Sequence, residues 1–308
     1  MNHSEGTVTQ GWAPGLASGP GGRWVAGDEH HLHVWSGSTL ERTVDLSTML
    51  GRPPRFVTDT AVLSGRYEVD ADSGAATERI PVDDLLTAYD PNGNPDQLVV
   101  RAVAWTNDGA RALVVVEYRP TRLRGATDSV RPGGLLALWR SDDGTVHELD
   151  RGKLLASAPV AGDRWLVSGG TKARVFDPGS GEVALPLDTG AAATAVATVG
   201  DAVAAGLADG GVIEGNLGGS VPGDRGPTAS AVHHGAVSAV ALSPDAALVA
   251  TGDRTGVLVV RRFGAGGEPV LRTEVPGRVD GLCFLAPDHL VVAVGGPERE
   301  LRHIELNG

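Results

Sequence analysis

Short runs of β-branched and other apolar residues, most of them ending in glycine, recur along the whole chain. Within a run the apolar residues either alternate with polar ones or follow one another without a break. An amphipathic helix would instead place apolar residues three or four positions apart over about ten or more residues, so the pattern predicts strands. The runs begin at Trp24, Ala61, Ala112, Trp165, Ala202, Leu248 and Leu290.

The spacing of these runs indicates a repeated unit. Successive starts lie 37, 51, 53, 37, 46 and 42 residues apart, and dividing the 308 residues by seven gives 44 per unit. That length is typical of a four-stranded propeller blade. The sequence therefore predicts an all-β fold, a seven-bladed β-propeller of four-stranded antiparallel blades. We expect a single domain over 1–308, with blades at about 12–47, 51–86, 97–152, 154–188, 190–222, 232–275 and 277–308 plus 6–12.

The clearest unit covers residues 233–260. It predicts a first strand at Val237–Leu242, a Ser-Pro-Asp turn, a second strand at Ala247–Thr251, a hairpin and a third strand at Val257–Val260. Proline suits the turn because its φ is fixed and it has no N–H to donate. Less regular versions of the unit are found at 101–118, 135–146, 165–181, 194–213 and 279–294.

This unit resembles the WD repeat, with His234 and Gly235 near the usual Gly-His position and the Ser-Pro-Asp turn closing the first strand. A WD repeat typically links a His, a Ser or Thr on the second strand, an Asp in the next hairpin and a Trp on the third strand. The resemblance assigns His234 and Thr251 to the first two roles. Thr255 stands at the Asp position and Arg261 at the Trp position. The resemblance thus implies a divergent WD-like propeller whose hydrogen-bond network is incomplete.

The two ends of the chain are predicted to share one blade. The last repeat has strands at Val279–Leu285, Leu290–Val294 and Leu301–Leu306 but no fourth strand, and a strand-like piece, Gly6–Trp12, precedes the first repeat. Pairing Gly6–Trp12 beside Leu301–Leu306 would complete the blade and remove an exposed sheet edge.

Composition and charge limit the classes of molecule that we expect this protein to bind. The 44 glycines and 19 prolines are spread along the chain, as many short strands and turns require, and no Gly/Ser tract or charge block marks a domain boundary. The formal charge is −12 and the pI is about 5.1. A surface of that sign repels phosphate backbones and anionic lipids, so we expect no nucleic acid and no membrane as partners.

Several features predict a cytoplasmic protein. Cys283 is the only cysteine, so no internal disulfide forms, and its apolar neighbours favour a buried, unreactive thiol. The first ten residues are polar and lack the basic start and apolar core of a signal peptide. The apolar runs are also too short to span a bilayer.

Two polar segments have some of the chemistry of metal sites. His31 and His33 project from one side of a predicted strand, close to Asp28 and Glu29, which is a usable arrangement for a first-row metal. The same composition is normal for an exposed hairpin, and that interpretation is favoured.

The second segment runs from Asp90 to Asp96 and places oxygen side chains at alternate positions, as calcium loops do. It lacks the terminal bidentate Glu, and its prolines and Asn-Gly also suit an ordinary turn. No catalytic or cofactor motif is present. We therefore expect no metal, no cofactor and no catalytic residue.

One insertion is unlike the rest of the chain. Residues 119–132 interrupt the third blade between its second and third strands and carry Arg119, Arg122, Arg124 and Arg131 against a single Asp. Loops of this length are often functional. Three interpretations stay open: an arm that docks on the acidic surface of a protein partner, a flexible hairpin extension without a role, and a nucleic-acid contact, which the lack of interleaved aromatic residues disfavours.

The predicted function follows from the fold by analogy alone. Propellers usually present surfaces to other proteins, which favours a bacterial-type intracellular scaffold or sensor subunit without catalysis. One alternative is a metal-dependent propeller enzyme of the lactonase, hydrolase or lyase type, which needs acidic or His side chains near the starts of the innermost strands. Asp280 is a lone carboxylate there. A sugar-binding propeller is the other alternative, and 4% aromatic residues gives it little support.

Overall fold

The computed structural model describes residues 15–27, 30–46, 54–81, 98–106, 108–118, 134–140, 146–151, 156–160, 164–169, 172–177, 183–217, 228–265, 267–296 and 299–306. Within these ranges the only helix is a single 3₁₀ turn at Pro20–Gly22. No helix among them is long and apolar enough to cross a membrane.

The described strands form six four-stranded sheets, called blades 1 to 6, and a three-stranded C-terminal sheet. Blade 1 holds β1 (Gly15–Ser18), β2 (Arg23–Gly27), β3 (His31–Ser36) and β4 (Thr39–Asp45); blade 2 holds β5 (Arg55–Phe56), β6 (Ala61–Ser64), β7 (Tyr67–Asp70) and β8 (Ala76–Glu78). Blade 3 holds β9 (Leu98–Trp105), β10 (Arg111–Tyr118), β11 (Gly134–Arg140) and β12 (Val146–Arg151); blade 4 holds β13 (Ala156–Val160), β14 (Arg164–Gly169), β15 (Lys172–Phe176) and β16 (Val183–Asp188).

The remaining sheets complete the chain order. Blade 5 holds β17 (Ala193–Val199), β18 (Ala202–Leu207), β19 (Gly211–Asn216) and β20 (Thr228–Ala231); blade 6 holds β21 (Val237–Leu242), β22 (Leu248–Asp253), β23 (Val257–Arg262) and β24 (Leu271–Glu274). The C-terminal sheet holds β25 (Arg278–Ala286), β26 (His289–Gly295) and β27 (Glu300–Glu305). Every sheet is an antiparallel meander, so the strands of each can be lettered a to d in chain order.

The sheets pack side by side through their a strands. Contacts join β9 to β13, β13 to β17, β17 to β21, β21 to β25, β25 to β1 and β1 to β5. Between blades 2 and 3, Trp105 Nε1 donates a hydrogen bond of 2.8 Å to the Gly65 carbonyl. Between the C-terminal sheet and blade 1 an apolar cluster includes Leu16, Trp24 and Cys283. The expectation of an all-β propeller of antiparallel blades is confirmed.

The same side-chain hydrogen bonds recur in the a–b turns of two blades. In blade 6, Ser243 Oγ donates to Asp245 Oδ1 at 2.6 Å and accepts from the Leu248 amide at 2.9 Å. In blade 3, Thr106 Oγ1 donates to Asp108 Oδ1 at 2.6 Å in the same way. Short polar side chains that bond the nearby backbone define such turns.

Glycines on the b strands let adjacent blades approach each other closely. A Cβ on Gly206 would lie 2.2 Å from Val237 Cγ1, and a Cβ on Gly252 would lie 2.3 Å from Val279 Cγ1. Each valine stands on the a strand of the next sheet. The glycine at the end of these apolar runs is therefore explained by blade-to-blade packing rather than by a turn.

The predicted strands of the clearest unit are close to those observed. The a strand matches β21. β22 extends two residues beyond the predicted Thr251, because Asp253 still pairs with Val237, and β23 continues to Arg262, which pairs with Leu248. The predicted closing strand, Gly6–Trp12, lies outside the described residues.

Candidate interaction face

One end of the propeller is formed by the b–c hairpins together with the connections that lead into each a strand. In an antiparallel meander these segments emerge on the same side of a sheet, because a and c strands start where b and d strands end. We call this end the hairpin face. In blade 6 and the C-terminal sheet it comprises 232–236, 254–256, 275–277, 296 and 299 among the described residues.

A buried network lies under the hairpin face in blade 6. His233 Nδ1 is 3.2 Å from Asp253 Oδ2, and His233 Nε2 is 2.8 Å from Thr251 Oγ1. The side chains of His233 and Asp253 are both 0% exposed. A neutral imidazole that donates from Nδ1 to the carboxylate and accepts the Thr251 hydroxyl at Nε2 satisfies all three groups.

The electrostatics of this network favour a neutral histidine and an ionised aspartate. Burial lowers the pKa of His233 and outweighs the opposing effect of Asp253. For Asp253, burial acts to raise the pKa, but hydrogen bonds from Thr255 and from the Val257 amide outweigh it and hold the pKa below its usual value. The network joins the incoming connection to the b–c hairpin and stabilises the corner of the blade.

Two assignments based on the WD resemblance are wrong. His234 is exposed, and its neighbour His233 makes the buried contacts. The carboxylate role falls to Asp253 at the end of β22, whereas Thr255 only donates to that carboxylate, at 2.7 Å. The predicted incompleteness therefore applies to the Trp position alone.

At that position Arg261 forms a buried ion pair with a neighbouring blade. Its guanidinium contacts Glu214 on β19 and donates to Ser230 Oγ at 2.7 Å. Glu214 also accepts from the Gly264 amide at 2.6 Å. With both charged side chains almost fully buried, the pair joins blade 6 to blade 5.

The a strands carry a second blade-to-blade contact near the hairpin face. Thr194 on β17 donates through Oγ1 to the Val237 carbonyl, and Ser238 on β21 donates through Oγ to the Val279 carbonyl. The corresponding residue on β25 is Asp280, which follows Val279 as Ser238 follows Val237, at the same β-bulge. A hydroxyl that bridges blades is thus replaced by a carboxylate in the C-terminal sheet.

Asp280 lies beside a pocket on the hairpin face and holds one of the residues that line it. Its carboxylate pairs with Arg278, the first residue of β25. Arg278 is half-exposed, with 51% of its side chain accessible, whereas the Asp280 side chain is 3% exposed. The hydrogen bond to Asp280 raises the pKa of Arg278. The pocket measures about 440 Å³ and is lined by Pro276, Gly277, Arg278, Gly295, Gly296 and Arg299.

Glycine backbone forms the floor of this pocket. A Cβ on Gly277 would lie 2.1 Å from the Gly295 carbonyl oxygen, and a Cβ on Gly295 would lie 2.0 Å from Asp280 Oδ2. Only residues without a Cβ permit this approach. Arg299 stands on the other side, and its Nη1 is buried with no hydrogen-bond partner among the described residues.

The predicted metal ligands are only partly described. His31 and His33 lie on β3 with their rings stacked 5.8 Å apart, as the strand pattern predicted. His33 Nδ1 is 2.9 Å from Thr43 Oγ1, and His31 Nε2 is 3.5 Å from Asp45 Oδ1. Asp90 and Asp96 lie outside the described residues. Within the described ranges no group of three or more His, Cys, Asp or Glu is placed to hold a metal.

Of the other predicted features, some lie outside the described residues and some lie within them. The arginines of the insertion, Arg119, Arg122, Arg124 and Arg131, lie outside the described residues. Cys283 is buried as predicted, and burial raises the pKa of its thiol to about 12. Sequence reasoning missed Arg278 and Arg299, because single arginines beside turn glycines give no recognisable pattern.

Comparisons with known proteins support the fold. No family model matches the chain, and no curated protein is similar to it in sequence. Among solved structures 1611 chains match, so the architecture is common and by itself indicates no function. One is a chain of the crystal structure of the mitotic checkpoint complex, with a TM-score of 0.54 and 13% identity. The match covers 66% of this chain and 62% of that one, so it spans less than two thirds of that structure's chain, and the likeness shows a β-propeller.

Proposed function

We propose that this protein is a cytoplasmic, non-catalytic protein–protein interaction scaffold or sensor subunit built on a divergent WD-like propeller. The observation that carries the proposal is the Arg278–Asp280 pair. At the corresponding a-strand positions of blades 5 and 6, Thr194 and Ser238 hold neighbouring sheets together. In the C-terminal sheet the same place holds a buried carboxylate that pairs with the half-exposed Arg278 at the edge of an open pocket, which suits binding.

The rigidity of the face supports a role in recognition. Glycine–valine contacts, hydroxyl bridges and the buried Arg261–Glu214 pair join blades 5 and 6 and the C-terminal sheet. Loops on a rigid framework keep their relative positions when a partner binds, which lowers the entropic cost of association. Protein partners are also consistent with a propeller fold shared with a chain of a protein complex.

We propose that the ring closes as seven four-stranded blades, with Gly6–Trp12 as the missing strand. In the described part β27 has a neighbour on one side only, β26, whereas every other sheet has four strands. A strand on the free edge of β27 would complete the C-terminal sheet and satisfy its open backbone groups.

The arginine-rich insertion remains part of the proposal. β10 ends at Tyr118 and β11 begins at Gly134, so residues 119–133 connect the b and c strands of blade 3. By the topology of the meander, this connection starts and ends at the hairpin face. We propose that its arginines contact an acidic surface of the partner.

The test is affinity capture from extract of the native host with the full chain as bait. A partner that is retained reproducibly, binds the purified chain directly and forms a stoichiometric complex would support the scaffold role. Elemental analysis of the purified protein is the companion measurement. Stoichiometric zinc, manganese or calcium that survives dialysis would instead favour a metal-dependent propeller enzyme.

A further inference from the structure

We infer that the pocket between Arg278 and Arg299 binds a side-chain carboxylate of an acidic segment of the partner protein. The inference rests on the proposed interaction role and assigns it to one place on the hairpin face. It depends on three observations: apolar residues take the place of the blade 6 polar network at this corner, the backbone there is open to a ligand, and one positive charge is left unmatched among the described residues.

Apolar residues take the place of the charged network at this corner. Val275 and Val294 occupy the positions that His233 and Asp253 hold in blade 6, four residues before the a-strand valine and opposite it in the b strand. Both valines are buried and belong to one apolar cluster. The C-terminal sheet therefore replaces the polar network of blade 6 by hydrophobic contact.

The glycines leave the backbone accessible next to the two guanidinium groups. Gly277 and Gly295 approach each other so closely that no side chain fits between them. Gly296 has a φ of +153°, and a Cβ added to it would meet nothing within 4 Å, so the space above the hairpin is free among the described residues. A ligand can therefore reach between Arg278 and Arg299 without displacing a side chain of the described residues.

The charge balance favours a carboxylate over a phosphate. Among the described residues, two guanidinium groups lie beside one carboxylate, Asp280, which leaves a local excess of one positive charge on a protein whose formal charge is −12. Arg299 Nη1 is buried and lacks an acceptor among the described residues. One added carboxylate balances this charge. The two negative charges of a phosphate dianion would exceed the one unmatched positive charge. They would also lie near the carboxylate of Asp280, where like charges repel.

The donor geometry of arginine strengthens this assignment. A guanidinium presents N–H groups in a planar fork that matches the two oxygens of a carboxylate. Arg278 is already held by Asp280, with Nη2 3.2 Å from Oδ2, so its orientation is fixed before a ligand arrives. Asp280 thus acts as a positioning residue for Arg278.

The experiment measures binding of a short fluorescein-labelled peptide of alternating Glu and Gly to the full-length chain by fluorescence anisotropy. We expect saturable binding, with affinity about 10- to 100-fold weaker in Arg299→Gln and in Arg278→Gln, the range for losing a charged hydrogen bond. The matched control is Arg262→Gln, an exposed arginine at the opposite end of β23, which removes the same charge and should leave binding unchanged. Thermal melts verify that each variant folds. If Arg278→Gln does not fold, Arg299→Gln alone decides the result.

Several results would overturn the inference. These are no saturable binding up to about 1 mM peptide, an equal loss in Arg262→Gln, and tighter binding of a phosphoserine–glycine peptide of the same length. Capture of the host partner equally by wild type and Arg299→Gln would also reject the pocket, while leaving the interaction role intact. Peptide binding that requires Arg299, in a protein that captures no partner, would support the pocket and remove the scaffold role.

Discussion

Gly252 lies against Val279 so closely that a Cβ on the glycine would be 2.3 Å from Val279 Cγ1 and 2.4 Å from its Cβ. The contact joins the b strand of blade 6 to the a strand of the C-terminal sheet. Because both partners are on β-strands, neither can move aside without shifting a whole sheet. The glycine that ends the apolar run in this repeat is therefore a condition for the sheets to pack.

Replacing this glycine tests the packing directly. We expect Gly252→Ala to lower the free energy of unfolding by about 1–3 kcal/mol or more, as overpacked cores do, measured by urea denaturation. The control is Gly267→Ala, since a Cβ there meets nothing within 4 Å and its backbone is not in the left-handed region. Equal stability of the two variants would mean that the sheets separate easily at this contact.

The buried histidine should make stability depend on pH. The folded state holds the pKa of His233 below its usual value, so the unfolded chain binds a proton more readily. Stability from this group is then complete above the ordinary histidine pKa of about 6.5 and is lost as pH falls below it towards the folded value. We expect the free energy of unfolding to fall between about pH 7.5 and about pH 5.5, and to fall less in His233→Gln.

The exposed neighbour of this residue supplies the control for the pH experiment. His234→Gln removes one histidine from the same connection without touching the buried network. Its pH dependence should match that of the wild type. If His233→Gln also matched the wild type, the ring would not be titrating on unfolding and the neutral, buried state would be contradicted.

The sequence predicted the architecture because the repeated pattern of short apolar runs depends on only one property, the alternation of strands and turns. It failed for two single residues of the blade 6 network. His233 and His234 are adjacent, and which of them points inward depends on where β21 begins. Asp253, and not Thr255, has the Asp role of the WD repeat, because β22 extends farther along the chain than its run of apolar residues indicates.

The charged pocket was beyond sequence reasoning for a different reason. Arg278 is the first residue of β25 and Arg299 directly precedes β27, and neither belongs to a recognisable motif. They meet because the connection into β25 and the β26–β27 hairpin emerge on the same face. The importance of Asp280 becomes visible only by comparison with Thr194 and Ser238, whose bridging role requires the three-dimensional alignment of the sheets.

Removing one partner of the Arg261–Glu214 pair should lower the free energy of unfolding strongly, whereas replacing both by apolar residues should lower it little. We expect Arg261→Met alone to lower the free energy of unfolding by about 3–5 kcal/mol, because it leaves Glu214 buried without its counter-charge. Adding Glu214→Leu should recover most of that loss. A double-mutant cycle by chemical denaturation measures the coupling, and additive effects of the two substitutions would show that the pair contributes no joint stability.

The closing strand gives a prediction about the N-terminus. Deleting residues 1–12 should lower the melting temperature and promote self-association, since it would expose the edge of β27 and leave the ring open. Deleting residues 1–5 alone should change neither, because the proposed strand begins at Gly6. Thermal melts and size-exclusion chromatography distinguish the outcomes, and unchanged behaviour of the longer deletion would place the strand elsewhere.

The arginine-rich insertion can be tested without disturbing the sheets. Replacing Arg122, Arg124 and Arg131 together by Glu should leave the melting temperature unchanged, because the segment lies between β10 and β11 rather than within them. It should weaken association with the native partner and reduce its salt dependence, since such charges act mainly on the rate of encounter and are screened by salt.

The control for the insertion carries the same change in net charge at another place. Glu replaces three exposed arginines of the described chain that lie on strands rather than in the hairpins, Arg42, Arg262 and Arg272. Both variants are compared with the wild type in affinity capture and in binding at two salt concentrations. A selective loss in the insertion variant assigns partner contact to the arm. Equal recovery of every partner from all three baits would show that the insertion is a hairpin extension, and partner binding would then have to arise elsewhere on the hairpin face.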